Sequence, residues 1–244
     1  MARLPRFFIS PEQVKGTVIS VADEDVRHIV TVLRMKTGDE LLLCDGRGSE
    51  YRARITEIGT HELKSEVVER HARVRRGPDI VLGQGIAKAD KMDWIVQKAT
   101  ELGVASLVPL ETERTIVKVK DEEKRLGRWR KICREAAMQS NRPDIPKVEA
   151  IAPLHEYLKT QTAGPGTVLL LPWEEAVGPL KDILHAQQDV KRVVVLIGPE
   201  GGFSKKEAEL AISRGFHAVS LGPNILRTET AALAALGMIG YEYF

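Results

Sequence analysis

Arg227, Thr228, Glu229 and Thr230 follow directly on a loop that carries Gly222-Pro223. A guanidinium is always protonated and presents a fork of donors. Here a carboxylate and two hydroxyls stand next to it in sequence. The apolar run before Gly222 is one of three that end in a loop rich in glycine or proline. The others run into Leu171-Pro172-Trp173-Glu174 and into Gly198-Pro199-Glu200-Gly201-Gly202. Glycine lets backbone N–H and C=O groups approach a ligand with no Cβ in the way, and proline presets the turn. A structural turn explains any one of these loops. Three at consecutive strand ends point to a ligand site built largely from backbone, with charged side chains from the Arg-Thr-Glu-Thr cluster beside it.

Several familiar sites do not fit. Gly198–Gly202 is not G-x-G-x-x-G and lies late in the chain, and no G-x-x-x-x-G-K-[ST] occurs. The loops carry no His and Cys cluster of the kind that holds zinc. The two cysteines, Cys44 and Cys133, match no metal spacing and read as buried or semi-buried thiols of a reducing compartment.

The elements that must position the loops alternate in the second part of the chain. Strands are expected at 80–86, 104–108, 168–171, 193–197 and 218–221. Helices are expected at 91–102, closed by Gly103 in the left-handed position after its end, at 125–140, and from Ser204 to Gly215. Ser204 and Glu207 form a capping box at the start of the last of these. A final helix begins near Thr228 or Thr230. This alternation predicts an α/β domain with a mostly parallel sheet covered on both faces, whose ligands bind at the C-terminal strand ends. Residues 1–76 differ. Short β-prone segments at 17–21, 40–44, 51–58 and 63–68, with one helix from Asp23 to Leu33, predict a small β-barrel. The basic run 70–76 and Gly77-Pro78 read as a linker, which puts the division at 76/77.

The net charge of +2 over 244 residues leaves no global basic field, so any polyanion site must be a local patch. Lys124, Arg125, Arg128, Arg130, Lys131 and Arg134 form one. Trp129, Ile132, Cys133 and Ala136 share the opposite, apolar face of that helix. A solvated helix face and a phosphate-contacting face both fit this pattern. The longest apolar-rich run, 231–239, is far short of the ~18 residues of a membrane span, and the N-terminus has no signal-peptide pattern, so a cytoplasmic protein is expected.

Ile197–Ser204 (IGPEGGFS) and Leu221–Ala231 (LGPNILRTETA) resemble the C-terminal motifs of the RsmE family. These are bacterial 16S rRNA uracil-N3 methyltransferases within the SPOUT class of S-adenosylmethionine enzymes. The likeness extends to Arg6-Phe7-Phe8, His28, Val32-Leu33-Arg34 and Gly38-Asp39 near the N-terminus. In the middle it takes in Lys88, Lys91, 97–103, Arg114, Arg128-Trp129, Glu135-Ala136-Ala137 and Gln139-Ser140-Asn141-Arg142. One departure is Asn224, where much of the family carries Arg.

The resemblance implies a PUA-like β-barrel followed by a deeply trefoil-knotted α/β domain. It implies a homodimer, and 16S rRNA of the 30S subunit as partner, with uridine 1498 as target. S-Adenosylmethionine would be the methyl donor and S-adenosylhomocysteine the product; an activated sulfonium needs no metal. Leu171, Pro172, Ile197, Gly198, Pro199, Glu200, Gly201, Gly202, Leu221, Gly222, Ile225, Leu226, Thr228, Thr230 and Ala231 would surround the donor. Arg227 would stabilise negative charge on the uracil. Glu229 would accept the N3 proton or hold Arg227 in place, the second being preferred. Arg3, Arg6, Arg27, Arg34, Arg128, Lys131, Arg134, Asn141 and Arg142 would contact RNA, and Arg47 adds to the basic groups of the barrel. A non-catalytic RNA-binding assembly factor and an unrelated nucleotide-binding enzyme are the competing readings. The intact loops and the Arg-Thr-Glu-Thr cluster oppose the first, and the missing phosphate motifs oppose the second.

Overall fold

The computed structural model describes residues 4–22, 24–72 and 77–244. Arg3, the expected helix cap Asp23 and the basic residues Arg73, Arg75 and Arg76 lie outside the described residues. The chain divides into two compact units, one of residues 1–75 with 137–145 and one of 76–136 with 146–244. Segment 137–145 falls on the second side of a 76/77 division, yet it groups with the first unit. Ala137 packs with Phe8 and Cys44, joined by Met138 and Ile145, and the Ile145 N–H donates to the Gly46 carbonyl at 3.1 Å.

The first unit contains strands β1 (Arg6–Phe8), β2 (Val14–Lys15), β3 (Val18–Ala22), β4 (Glu40–Cys44), β5 (Ser49–Ile58) and β6 (Glu62–Ala72). They form a mixed sheet in the order β1-β4-β5-β6-β3-β2, with β1 parallel to β4 and the other pairs antiparallel. Period-two alternation sends Ile19, Val21, Leu41, Leu43, Ala53, Ile55 and Leu63 into one core. Val26 and Ile29 close it from the connecting helical segment. That segment is not one α-helix. Helix α1 (Glu24–Arg27) gives way to a π turn over His28–Val32, where the Leu33 N–H reaches the His28 carbonyl at 3.0 Å. Arg34, at φ 56°, then turns the chain out. Strand β1 lacks a sequence signature because it is three residues long and all three are buried.

The second unit holds strands β7 (Asp79–Gly85), β8 (Ser106–Glu111), β9 (Lys147–Val148), β10 (Ala152–Pro153), β11 (Thr167–Pro172), β12 (Arg192–Ile197) and β13 (His217–Val219). Its helices are α2 (Asp90–Glu101), α3 (Glu122–Gln139, its last turn in the first unit), α4 (Leu154–Lys159), α5 (Leu180–His185), α6 (Lys205–Ser213) and α7 (Thr228–Tyr243). The sheet is parallel throughout, ordered β10-β8-β7-β12-β11-β13 with β9 beside β8. Val193–Ile197 are buried on both faces, as a central parallel strand requires. Met92, Ile95, Val96 and Ala99 recur at helical spacing and bury one face of α2. Gly103, at φ 91°, follows it. Ser204 and Glu207 cap α6 reciprocally, at 3.3 Å and 2.8 Å. The six-residue helices α4 and α5 have no counterpart in the expected elements. No helix among the described residues is long and apolar enough to cross a membrane.

Candidate active site

Strand order decides what meets at the C-terminal edge of the parallel sheet. β12 lies between β7 and β11, and β13 lies beyond β11. The loops after β11, β12 and β13 are therefore neighbours although far apart in sequence. They enclose a cavity of about 270 Å³. Of the residues expected at the donor site, Pro172, Ile197, Gly198, Pro199, Glu200, Gly201, Gly202, Leu221, Gly222, Ile225, Leu226, Thr228 and Ala231 line it. Leu171 and Thr230 do not. Leu171 is 1% exposed and belongs to the sheet's own core, and Thr230 is turned to solvent. Trp173, Glu174, Phe203, Ser220, Pro223 and Asn224 also line the cavity. Trp173 and Glu174 immediately follow Leu171-Pro172, so the wall begins one pleat further along the chain than expected.

The glycines let backbone close on backbone. A Cβ on Gly198 would sit 2.9 Å from the Gly202 carbonyl carbon, so the loop doubles back on itself there. Gly202 has φ 67°, and a Cβ on it would stand 3.2 Å from Glu174 Oε1. Gly85, at the end of β7, backs the Gly198 loop from outside the cavity wall, a role that the sequence does not signal. A Cβ there would lie 2.5 Å from Pro199 Cδ and 2.6 Å from its nitrogen.

Thr228 is buried and its hydroxyl is engaged within the protein. It donates to the Gly198 carbonyl at 2.6 Å and accepts from Gln84 Nε2 at 3.0 Å. Thr228 therefore ties the first turn of α7 to the Gly198 loop rather than offering a free hydroxyl. Arg227, just outside that turn, is exposed and makes no ion pair among the described residues. Its expected partner Glu229 turns elsewhere. Glu229 Oε2 lies 3.4 Å from Lys91 Nζ, and the same ammonium is 3.8 Å from Glu200 Oε1. In place of the expected Arg227–Glu229 clasp, Glu229 pairs with Lys91.

Sequence comparison places this geometry among known proteins. The RNA methyltransferase domain model matches residues 75–240, and the RNA methyltransferase PUA domain model matches 21–68. The ribosomal RNA small subunit methyltransferase E of Bacillus subtilis is 32% identical over 98% of this chain and 97% of its own length. Its namesake in Synechocystis is 33% identical over 96% of this chain and 76% of the relative. The Neisseria gonorrhoeae enzyme of that name, solved bound to S-adenosyl methionine, superposes with a TM-score of 0.88 at 34% identity, covering 99% of this chain and 98% of that one. A putative Legionella pneumophila methyltransferase in complex with the same cofactor gives 0.87 at 32% identity, with 98% of each chain covered. The chain belongs to the ribosomal RNA small subunit methyltransferase E family.

In this methyltransferase the first unit is PUA-like and the second is the α/β methyltransferase domain. The residues expected at RNA separate into available and engaged groups. Arg27, Arg34, Arg47 and Lys131 are exposed. Arg6 is not available. Its side chain is 4% exposed and pairs with Glu50 at 2.6 Å, with Cys44 Sγ 2.9 Å from its other nitrogen. It is a buried structural ion pair, and burial beside it pushes the Cys44 thiol up to about 11. Arg142 is likewise buried and pairs with Asp144 at 2.6 Å. Arg128 is exposed but its Nε donates to Asp93 at 2.8 Å, and Asp93 also accepts the Trp129 indole N–H at 3.1 Å. Arg134 and Asn141 are half-buried, the latter at φ 59°. Among the described residues, no group of His, Cys, Asp and Glu has the arrangement to hold a metal.

Proposed function

We propose that this protein transfers a methyl group from S-adenosylmethionine to N3 of one uridine of 16S rRNA, position 1498 in the family's target. The observation that carries the reading is the convergence of three strand-end loops on one cavity, with the open guanidinium of Arg227 at its C-terminal loop. The cavity suits the donor. Trp173, Ile197, Leu221 and Leu226 supply apolar wall for an adenine, the glycine loops supply backbone groups, and Glu174 and Glu200 supply negative charge for an ammonium or sulfonium. Leu171 and Thr230 drop from that set on their placement.

The bound donor supplies an electrophilic methyl. With the donor bound, the N3 proton would pass to Glu229 or to water, and the N3–CH3 bond would form as the S–CH3 bond breaks, that bond's electron pair staying on sulfur. The protein's own part is to position N3 in line and to stabilise the anion spread over O2 and O4. Arg227 does the second. Glu229, held by Lys91, is the nearby carboxylate on the same turn. N3 is hidden in a base pair, so the uridine is taken as unpaired or flipped. Helix α7 buries Ala232, Ala235, Leu236 and Ile239 within the chain, yet leaves Met238 and Tyr241 exposed. That exposed apolar face supports a homodimer. The implied trefoil knot, the 76/77 division and cytoplasmic residence belong to the same reading.

Incubation with labelled S-adenosylmethionine and under-methylated 30S subunits tests it. Label on N3 of a single uridine is expected; label on another base or none removes the assignment. RNA binding by α3 has its own test. Lys124 and Lys131 are exposed there and have no ion-pair partner among the described residues. Replacing both by glutamine is expected to lower the slope of log K against log salt by ~0.7–0.9 for each phosphate these lysines neutralise. An unchanged slope takes this helix face out of the interface.

A further inference from the structure

Glu229 presents an oddity. Its Oε2 is buried and accepts no hydrogen bond among the described residues, and its charge is met by Lys91 Nζ at 3.4 Å. The same ammonium faces Glu200, which lines the cavity and accepts the Lys88 backbone N–H at 3.0 Å. One lysine thus stands between a carboxylate of the donor loop and a carboxylate two residues from Arg227. The turn that aims this pair of interactions is strained. Ala89 sits at φ 47°, ψ −132°, well away from the left-handed basin near ψ +47°. Such a conformation is costly and persists only where the surroundings hold it.

We propose that Lys91 is a positioning residue for methyl transfer: it holds Glu229 away from Arg227, so that the guanidinium stays unpaired and available to the uracil anion. This rests on the methyltransferase reading above. Arg227 and Glu229 stand two residues apart at the start of α7, and a guanidinium paired with a carboxylate has its charge already compensated. Lys91 supplies the competing cation. Glu200 joins the clamp, which couples the donor loop to the same lysine.

The test is a cycle of Lys91→Met, Glu229→Gln and the double variant, with Lys91→Arg as the conservative control. Methyl transfer to under-methylated 30S subunits gives kcat, and calorimetry gives the S-adenosylhomocysteine Kd. Lys91→Met is expected to lower kcat about tenfold, a loss typical of coupled neighbours, with Kd changed less than about twofold. Lys91→Arg restores most of the rate, and in the Glu229→Gln background Lys91→Met costs little further. Equal losses in both backgrounds, or a Kd loss matching the kcat loss, overturn the proposal. A crystal structure of Lys91→Met gives a readout independent of activity: Glu229 is expected to turn to Arg227, and an unmoved Glu229 overturns the role. Failure of the wild-type protein to methylate 30S subunits at all would instead strike the functional reading.

Discussion

Arg227→Ala is expected to lower kcat for methyl transfer by ~10²–10³-fold, the loss typical of removing one donor from an oxyanion-type site, while the donor Kd changes less than about threefold. The asymmetry follows from where the residue sits. Arg227 precedes α7 as its N-cap, but its side chain makes no capping hydrogen bond. It is exposed, makes no ion pair among the described residues, and is absent from the cavity wall that Leu226, Thr228 and Ala231 share. Removing the guanidinium therefore leaves the helix start and the donor pocket standing. The start of α7 is held by Thr228, through Gly198 and Gln84, and not by its neighbour. What disappears is charge at the place where the uracil anion develops. Arg227→Lys separates charge from geometry. It keeps the positive charge but lacks the planar fork, so its rate should fall between those of wild type and Arg227→Ala. Single-turnover kinetics with calorimetry on the same samples check both. Full turnover by Arg227→Ala would falsify the role.

The frame of the site is legible because its signals are local. Val193–Ile197 reads as a central strand from one β-branched run, and the Ser204–Glu207 box and Gly103 fix helix ends from spacing alone. The three loops are legible because glycine and proline mark turns wherever they stand. What stays hidden depends on partners distant in the chain. Nothing near Arg6 indicates that Glu50 and Cys44 enclose it, so it reads as a surface cation. Nothing near Glu229 points to Lys91, and the adjacent Arg227 looks like its natural partner. Leu171 and Trp173 show a subtler limit. A strand's end is visible, but which pleat turns to the core and which lies at the cavity depends on how far the strand runs. Helices α4 and α5, six residues each, are too short for a periodic pattern to register.

Gly85→Ala carries the largest expected effect on donor binding, at a residue that itself lies outside the cavity wall. Gly85 ends β7, in line with the register that pairs Gln84 with Ile197 on β12. The next residues of β12's chain, Gly198 and Pro199, pass directly over it. An added methyl would lie 2.5 Å from Pro199 Cδ, 2.6 Å from its nitrogen and 2.9 Å from the Gly198 carbonyl carbon. These are ring and backbone atoms, so no rotamer change relieves the overlap, and either the loop or the strand end must move. Overpacking of this kind costs about 1–3 kcal/mol. The 198–202 loop is the easier element to displace, because β7 is held by ladders on both sides. Shifting it also strains the Thr228–Gly198 hydrogen bond that anchors α7. The donor Kd is therefore expected to rise about 5–140-fold, the range that those ~1–3 kcal/mol correspond to at 1.4 kcal/mol per decade, with a fall of several degrees in Tm. Gly127→Ala is the matched control. It lies inside α3, a Cβ there meets nothing within 4 Å, and alanine in a helix interior is worth ~0.5–1 kcal/mol over glycine. That variant should gain stability and bind the donor as wild type does. If Gly85→Ala keeps wild-type affinity, the loop does not need this close approach, and the glycine answers only to the packing of β7.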